Sequence, residues 1–256
     1  MTLRDHVFER LDGTGADALV LAVSGGGDST AMLVLAADWA RSRGARLFAA
    51  TIDHGLRAES AEEARFVAGL CEGLGVDHAT IGWQAQAEGN LQQEARRARR
   101  RLLAEHARAC GAQDVILGHT QDDVAETFLM RIERGSGLDG LSAIADRFEA
   151  HGVRFHRPLL SCSRSSLREL LTDRGIPWRE DPTNADMRFL RSRIRSILPA
   201  LDTVGLSVER LAETAHRLSD ARAALDLHAA ALARDTLAET PEGAITLDRA
   251  LFLEAP

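Results

Sequence analysis

A glycine-rich segment, SGGGDS at residues 24–29, follows a short apolar run and precedes a run whose apolar residues have helical spacing. In such a strand-to-helix turn, backbone N–H groups and the helix N-terminus converge on one point, which favours an anion. Gly25, Gly26 and Gly27 let the backbone approach a phosphate closely, because no Cβ intervenes. The segment from Ser24 to Ser29 therefore predicts a phosphate site.

Asp28 stands in this segment where a negative side chain would repel a phosphate. The lysine of a Walker-type loop is missing, and all 31 basic residues of the chain are arginine. The spacing G-x-G-x-x-G also fails, since residue 30 is threonine. A Mg²⁺ ion bridging Asp28 and a phosphate would turn the repulsion into attraction, which suits cleavage of ATP between its α- and β-phosphates. The alternative is a tight turn in which Asp28 or Ser29 merely caps the helix.

Length and composition favour a globular α/β protein. The chain has 256 residues, of which 45% are apolar and 27% charged. No apolar run approaches the roughly 20 residues of a membrane helix, and the first residues lack a secretory signal pattern, so we expect a cytoplasmic protein without membrane contact. The net charge of −7 argues against a nucleic-acid grip over the whole surface, although a local basic patch is compatible with it.

Cysteine chemistry is not indicated by the sequence. Cys71, Cys110 and Cys162 are isolated from one another, and none forms a C-x-x-C pair. We therefore predict buried or idle thiols rather than a zinc, redox or iron–sulfur site. His119 lies near several acids, but no ligand spacing typical of a zinc site accompanies it.

Strand and helix patterns alternate along the first 200 residues. The predicted strands are 18–23, 45–52, 77–83, 113–119 and 153–160. The predicted helices are 29–43, 60–75, 91–110, 122–134 and 163–174. This alternation predicts a parallel sheet with helices on both faces.

The amino-acid composition and the predicted secondary structure change after Pro199. Residues 207–239 are rich in alanine and arginine and are predicted to be helical and free of strands, and a strand-like segment follows. We predict a catalytic ATP-binding domain over 1–200 and a small helical appendage over 201–256, which would begin a substrate- or tRNA-binding region. The oligomeric state is left open, a homodimer being one option.

The S-G-G-x-D-S motif after a buried strand resembles the pyrophosphate-loop (PP-loop) ATPases, which activate a carbonyl oxygen as an adenylate. Further motifs resemble one family among them, the tRNA(Ile)-lysidine synthetases, also called synthases. The matching segments, in order, are TIDHGLRAES (51–60), LGHTQDDVAETFLMRIERGSGLDGLSAI (117–144), RPLL (157–160), IPWREDPTN (176–184) and RSRIRSILPAL (191–201). The likeness extends over residues 17–201, and the combination is far more specific than any single motif.

This resemblance implies an RNA-modifying ligase that uses ATP and Mg²⁺. Such enzymes join the ε-amine of L-lysine to C2 of the wobble cytidine in tRNA(Ile) with a CAU anticodon. It implies ATP binding by Ser24, Gly25, Gly26, Gly27, Asp28 and Ser29, with Asp28 as the Mg²⁺ ligand. His54 follows the second predicted strand, where parallel α/β sheets place their ligands, so we expect it near the nucleotide without a chemical role. Family members commonly carry further C-terminal domains, and the sequence leaves open whether this chain is a short form.

Asp123 and Glu126 are candidate ligands of the lysine amino group. Lying three residues apart on a predicted helix, they share one face, and they match the family's D-x-x-E-T motif. Asp122 and His119 lie nearby. The alternative is a solvated helix start, whose acids interact favourably with the helix dipole.

Arginine clusters are the candidate phosphate and tRNA contacts. Residues 96–101 contain five arginines, most of which we expect on a solvated helix face. Arg96 and Arg99 match the family's A-R-x-x-R, which implies a catalytic phosphate or substrate contact for Arg96, whereas Arg100 replaces the tyrosine usual in the family. Arg191, Arg193 and Arg195 suit a tRNA backbone, the alternative being a surface turn. Ser192 replaces the family's asparagine in this segment, so the match is incomplete.

Several alternatives remain open from the sequence. Residues 134–141, RGSGLDGL, are either a mobile loop that closes over the site or a helix stop at Gly135. The competing functions are a tRNA thiolase, a metabolite amidotransferase resembling NAD or GMP synthetase, and a non-catalytic nucleotide-binding module. A thiolase of this type would normally need the cysteine pairs that this sequence lacks.

Overall fold

A six-stranded sheet forms the centre of the protein in this computed structural model, which describes residues 1–53, 60–83, 91–180 and 186–254. The strand order is β3-β2-β1-β4-β6-β5, and all neighbours are parallel except β5 and β6. The strands are β1 Ala18–Ala22, β2 Arg46–Asp53, β3 Asp77–Gly82, β4 Asp114–Leu117, β5 Arg147–Ala150 and β6 Val153–His156. The predicted α/β class is therefore confirmed; the sheet, predicted to be parallel, is parallel except at its edge strand β5.

Helices cover both faces of this sheet, as the sequence predicts. The helices of the first two hundred residues are α1 Leu3–Asp12, α2 Gly27–Arg43, α3 Ser60–Leu74, α4 Leu91–Ala109, α5 Gln121–Glu133, α6 Leu138–Leu141, α7 Arg164–Asp173 and α8 Leu190–Thr203. Alternation along β1 divides the core: Leu19 and Leu21 pack among α1, α2, α3 and α7, whereas Val20 and Ala22 pack against α4. Burial on both faces explains why β1 is apolar throughout.

The last part of the described chain is largely helical. Helix α9 spans Val208–Thr236 and packs its first turns on α5 and α8 through a third apolar cluster. It is followed by the antiparallel strands β7 Leu237–Glu239 and β8 Ile245–Leu247 and by α10 Arg249–Glu254. The expectation of a strand-free stretch over 207–239 is therefore wrong at its end, where pairing with a later segment decides the conformation.

Two further differences concern the sheet edge. The predicted fifth strand, 153–160, ends at His156, and the preceding segment from Arg147 forms an additional antiparallel strand. The stacked rings of Phe148 and Phe155, with centroids 4.9 Å apart, hold this edge pair together. The sequence analysis missed β5 because a four-residue strand has too little periodicity to recognise.

Among the described residues, no helix is long and apolar enough to span a membrane. Strands β1 and β4 are parallel neighbours, so the segments that follow them lie together at the carboxyl edge of the sheet. Gly118, directly after β4, lies against the start of α2: a Cβ there would be 3.2 Å from Ser29 Cα and 3.5 Å from the Asp28 carbonyl oxygen. The glycine-rich segment is therefore packed against the backbone of its neighbour.

We expect Gly118→Ala to destabilise the protein by about 1–3 kcal/mol, since the added methyl group meets backbone that cannot move away easily. Gly69→Ala is the matched control, because a Cβ at Gly69 in α3 has no neighbour within 4 Å. The control should gain about 0.5–1 kcal/mol from helix propensity. Urea unfolding measures both values, and equal effects of the two substitutions would contradict the close packing.

Candidate active site

The glycine-rich segment forms the turn between β1 and α2. Helix α2 begins at Gly27, and Gly26 is its N-cap without a side-chain hydrogen bond, so neither Asp28 nor Ser29 caps the helix. The alternative is therefore wrong about the helix cap, although the segment is the tight strand-to-helix turn that it describes. Gly25 has a φ of +83°, and a Cβ there would lie 3.2 Å from Val67 Cγ2, which accounts for glycine at this position.

Hydroxyl groups fix the turn from within. The Ser29 hydroxyl donates to the Gly26 carbonyl oxygen at 3.0 Å and accepts from the backbone N–H of Ser24 at 3.2 Å. The two serine hydroxyls lie 3.1 Å apart. The segment therefore has a defined shape at a helix N-terminus, with free space for an anion in the cleft beside it.

A later segment holds the turn from outside, which the sequence analysis did not foresee. Arg179 donates its backbone N–H to the Gly25 carbonyl oxygen at 2.9 Å, and the indole ring of Trp178 lies 3.4 Å from the position of a Cβ on Gly27. Both residues belong to the motif IPWREDPTN. The sequence does not indicate that this motif contacts the glycine-rich turn, which precedes it by about 150 residues. Asp181 and Asn184 of that motif lie outside the described residues, as does His54.

Arg164, at the first position of α7, lies at the centre of four carboxylates. Its Nε donates to Asp28 Oδ2 at 3.2 Å, and its Nη1 donates to Glu126 Oε1 at 3.2 Å. Its guanidinium also lies 3.6 Å from Asp122 Oδ1 and 3.8 Å from Asp123 Oδ1. This residue was missed by the sequence analysis; its position after a parallel strand, at the ligand-binding edge of the sheet, was the available signal.

Asp28 has one carboxylate oxygen, Oδ1, that is buried and has no hydrogen-bond partner among the described residues. Burial raises the pKa of the Asp28 carboxyl above its usual range; Arg164 opposes the shift, and Asp123 and Asp122 add to it. An unsatisfied buried oxygen is costly and calls for a ligand. A divalent cation fits this oxygen, because hard cations prefer carboxylate ligands.

The pair Asp123 and Glu126 is buried, so these acids are not a solvated helix start. Asp123 is 8% exposed and completes a capping box with Thr120, whose backbone N–H donates to Asp123 Oδ2 at 2.9 Å. Glu126 is fully buried, and its oxygens accept from Arg164 and from Arg195, with Arg191 3.3 Å away. Asp123 is therefore the more accessible of the two candidate amine ligands.

The arginines predicted to contact tRNA divide into two groups. Arg191 and Arg195 turn inwards to Glu126, whereas Arg193 is exposed. On α4, Arg96 and Arg97 are exposed, and Arg99 rather than Arg96 lines the cleft. The expected solvated face of α4 is therefore present at Arg96 and Arg97. Arg191 and Arg195 instead stabilise the site through their contacts with Glu126.

Helix α5 ends at Glu133, after which Gly135 takes a φ of +65° and the short helix α6 begins. This conformation supports the helix-stop explanation of RGSGLDGL, because glycine adopts a positive φ without strain. Helix α6 packs against α9. Nothing in this arrangement requires a lid.

One cleft of about 1390 Å³ lies at the carboxyl edge of the sheet, bordered by the glycine-rich turn, Asp122, Asp123, Arg164, Arg191 and Arg195, whereas Glu126 and Arg96 do not line it. It extends from the glycine-rich turn, past Asp28 and His119, to Asp123 and the start of α9. Drug-sized ligands occupy pockets of roughly 300–1,000 Å³. This cleft is therefore large enough for a nucleotide and a second substrate together.

Comparison with known proteins identifies the family. The profile of the family described as "PP-loop domain" matches residues 3–201. The tRNA(Ile)-lysidine synthase of Methylobacterium nodulans is 43% identical over 240 residues, which are 92% of this chain and 70% of that protein. The chain belongs to the tRNA(Ile)-lysidine synthase family.

Other members of this family are similarly close. The tRNA(Ile)-lysidine synthase of Bradyrhizobium diazoefficiens is 49% identical over 215 residues, 83% of this chain and 60% of that protein. The tRNA(Ile)-lysidine synthase of Ruegeria pomeroyi is 44% identical over 234 residues, which are 91% of this chain and 56% of that protein. This chain thus matches less than two thirds of the length of these two relatives.

Solved structures support the fold. The U34-tRNA thiolase NcsA from Methanococcus maripaludis, solved with its [4Fe-4S] cluster, superposes with a TM-score of 0.71 at 18% identity, over 85% of this chain and 77% of that chain. The NMN synthetase of Francisella tularensis superposes with a TM-score of 0.52 at 18% identity, over 85% of this chain and 92% of that chain. At these identities, the likeness concerns architecture alone.

We expect Asp28→Asn to stabilise the fold at pH 7. The pKa of Asp28 is raised in the folded state. Such a carboxyl contributes its full free energy of stabilisation below the pKa of the unfolded chain, about 3.9, and that contribution is lost as pH rises through the pKa of the folded protein. The charged form is therefore unfavourable at pH 7, and the uncharged amide removes this cost. Urea unfolding at pH 7 and at about pH 3 checks the sign: the gain should vanish in acid, and a loss at pH 7 would contradict the assignment.

We expect Arg164→Gln to lower the free energy of unfolding by about 3 kcal/mol at pH 7, because it leaves four carboxylates without their common cation. The loss should shrink at about pH 4, where carboxylates begin to protonate. Arg217→Ala, which breaks an exposed pair with Glu213 on α9, is the control and should cost less than about 0.5 kcal/mol. A cost of Arg164→Gln as small as that of the control would refute the central role.

Proposed function

We propose that this protein is the catalytic part of an ATP-dependent ligase that joins L-lysine to C2 of the wobble cytidine in tRNA(Ile) with a CAU anticodon. Membership of the tRNA(Ile)-lysidine synthase family supports the reaction class. The observation that carries the chemistry is Asp28 Oδ1, which has no partner in the described part of the chain and lies beside a glycine-rich turn at a helix N-terminus. Cytoplasm, where tRNA and ATP occur, is the expected compartment.

The reaction requires activation because the C2 carbonyl oxygen of cytidine is a poor leaving group. In the first step, this oxygen attacks the α-phosphorus of ATP, and pyrophosphate leaves. In the second, the ε-amine of lysine attacks C2, loses a proton, and displaces AMP together with the oxygen. Both steps benefit from fixed positive and hydrogen-bonding groups placed where negative charge develops.

Residues 24–29 would bind the phosphates of ATP through backbone N–H groups at the start of α2. Mg²⁺, when bound, would neutralise charge on the departing pyrophosphate, and Asp28 is the residue that would hold it through the unpartnered Oδ1. The role of His54 in nucleotide binding remains a prediction from the sequence. Arg96 remains the predicted phosphate or substrate contact, with Arg99 closer to the cleft.

The lysine ammonium group would bind at Asp123. Among the described residues, the one ion pair of Asp123 joins its Oδ1 to the Arg164 guanidinium at 3.8 Å, and Arg191 acts on it electrostatically, whereas Glu126 already receives hydrogen bonds from two arginines. An ammonium group that reached Glu126 would have to displace a guanidinium, so we assign Glu126 mainly to holding the arginines in place. The exposed Arg193 is the member of 191–195 most suited to a tRNA phosphate.

The alternative adenylating chemistry is less well supported. A thiolase needs reactive sulfur, but burial raises the pKa of Cys71 and of Cys162 to about 11, which keeps both thiols protonated at neutral pH. The structural likeness to a thiolase and to NMN synthetase extends to the fold only. Amidotransferase chemistry would be recognised by dependence on ammonia.

One assay tests the proposal. The protein is incubated with ATP, Mg²⁺, a tRNA(Ile) transcript carrying CAU and each amino acid in turn, and pyrophosphate release and lysidine are measured. Stimulation by lysine alone, with a tRNA(Met) transcript inactive, is expected. Turnover with ammonia, or with tRNA omitted, would overturn the proposal.

For Asp123→Asn, we expect the KM for lysine to rise at least about tenfold, with the KM for ATP changed less than about threefold, because the ammonium contact loses its charge while the glycine-rich turn is unchanged. The amide preserves the volume of the side chain. The Arg101→Gln variant, at an exposed pair on α4, is the control for general damage. Equal increases in the two KM values would refute the assignment of Asp123.

A further inference from the structure

Arg157, just after β6, is a buried arginine held in one position. Only 5% of the residue is exposed. Its Nη1 donates to the Ala145 carbonyl oxygen, and its backbone N–H donates to the Asp146 carbonyl oxygen at 2.9 Å. The guanidinium also lies over the Phe148 ring, 4.5 Å from the centroid. These contacts fix the direction in which Nε points.

That direction is towards His119, two residues after β4. Arg157 Nε donates to His119 Nδ1 at 3.2 Å. A guanidinium has donors only, so Nδ1 must accept and cannot carry a proton. The imidazole is then neutral and its single proton lies on Nε2. The tautomer of His119 follows from its partner.

The electrostatic surroundings agree with a neutral ring. The pKa of His119 is lowered to about 4, mainly by burial; Arg157 and the α4 residues Arg99 and Arg96 contribute to the lowering, and Asp123 on α5 opposes it. Burial together with Arg100 and Arg96 lowers the pKa of Arg157 to about 10, so it remains charged at neutral pH. His119 therefore does not change protonation between about pH 5.5 and pH 8.5.

His119 borders the cleft, between the glycine-rich turn and the acid cluster. The preceding residue, Gly118, lies so close to the start of α2 that a Cβ on it would be 3.2 Å from Ser29 Cα and 3.5 Å from the Asp28 carbonyl oxygen. Among the described residues, no hydrogen-bond partner accepts from Nε2. A fixed N–H donor among arginine side chains favours an anionic oxygen. His119 lies between the turn proposed to bind the phosphates and Asp123, the proposed lysine ligand.

We propose that Arg157 is a positioning residue that holds His119 as a neutral Nε2–H donor, and that this donor binds an oxygen of the α-phosphate during adenylate formation and breakdown. The second half of this inference depends on the proposed function; the first half concerns the free protein only. A protonated imidazole could not accept from Arg157, so loss of Arg157 removes the constraint on the tautomer.

Imidazole ¹⁵N spectra of the free protein test the tautomer, with His119 assigned by its absence from the His119→Gln spectrum. We expect a proton on Nε2, none on Nδ1, and no titration between about pH 5.5 and pH 8.5. A proton on Nδ1, or a titration near pH 6.5, would overturn the proposal. This result is independent of tRNA and lysine, so it stands apart from failure of the proposed ligase activity.

Addition of AMP, which carries the α-phosphate alone, tests the ligand. We expect the Nε2–H resonance to shift on AMP binding, and adenosine at equal occupancy to leave it unchanged. If AMP binds without moving the resonance, the phosphate contact is refuted although the tautomer stands.

Two pairs of variants test the consequence for catalysis. His119→Gln retains an N–H donor near the place of Nε2, whereas His119→Leu lacks one. We expect kcat to fall less than about tenfold in His119→Gln and about 10²- to 10³-fold in His119→Leu. The KM for ATP should change less than kcat in both variants. Arg157→Lys, which keeps a donor and a charge, should retain the Nε2–H signal. Arg157→Gln should give a titrating or mixed-tautomer imidazole; an unchanged His119 spectrum in folded Arg157→Gln would refute the positioning role.

Discussion

Four carboxylates share the guanidinium of Arg164 at the carboxyl edge of the sheet, and this interaction connects the segments that build the site. Asp28 comes from the start of α2, the other three acids from α5, and the arginine from α7. Carboxylates brought this close would repel each other without a common cation. The position of α7 relative to the glycine-rich turn therefore depends on charge as well as on the apolar contacts between α2 and α7.

The cluster remains incomplete at one atom. Arg164 satisfies Asp28 Oδ2, while Oδ1 has no partner among the described residues. A structure selected for stability alone would have no reason to bury such an oxygen, since an uncharged residue of the same size would cost less. The proposed cation and phosphate would complete the site and account for this cost, since perturbed carboxylates are concentrated at functional sites.

Local patterns determined the parts of the fold that depend on local interactions. Apolar runs and helical spacing located β1 to β4 and the helices between them. The signal is strongest for β1 and β4, which are buried throughout, because strands inside a parallel sheet are covered on both faces. The segments β5 and β7 escaped detection for the opposite reason: each is short, and each becomes a strand only by pairing with a later segment. Their partners, not their own residues, decide their conformation.

The sequence by itself determined the chemistry available: a glycine-rich turn with an aspartate, an acid pair three residues apart, and a chain whose only strong cations are arginines. Only the tertiary structure decided which groups meet. It placed Arg164 among the acids, turned Arg191 and Arg195 inwards to Glu126, and directed Arg157 at His119. Residues far apart in the chain carry no mark of their partner, because a guanidinium binds any carboxylate or imidazole that the fold brings within reach.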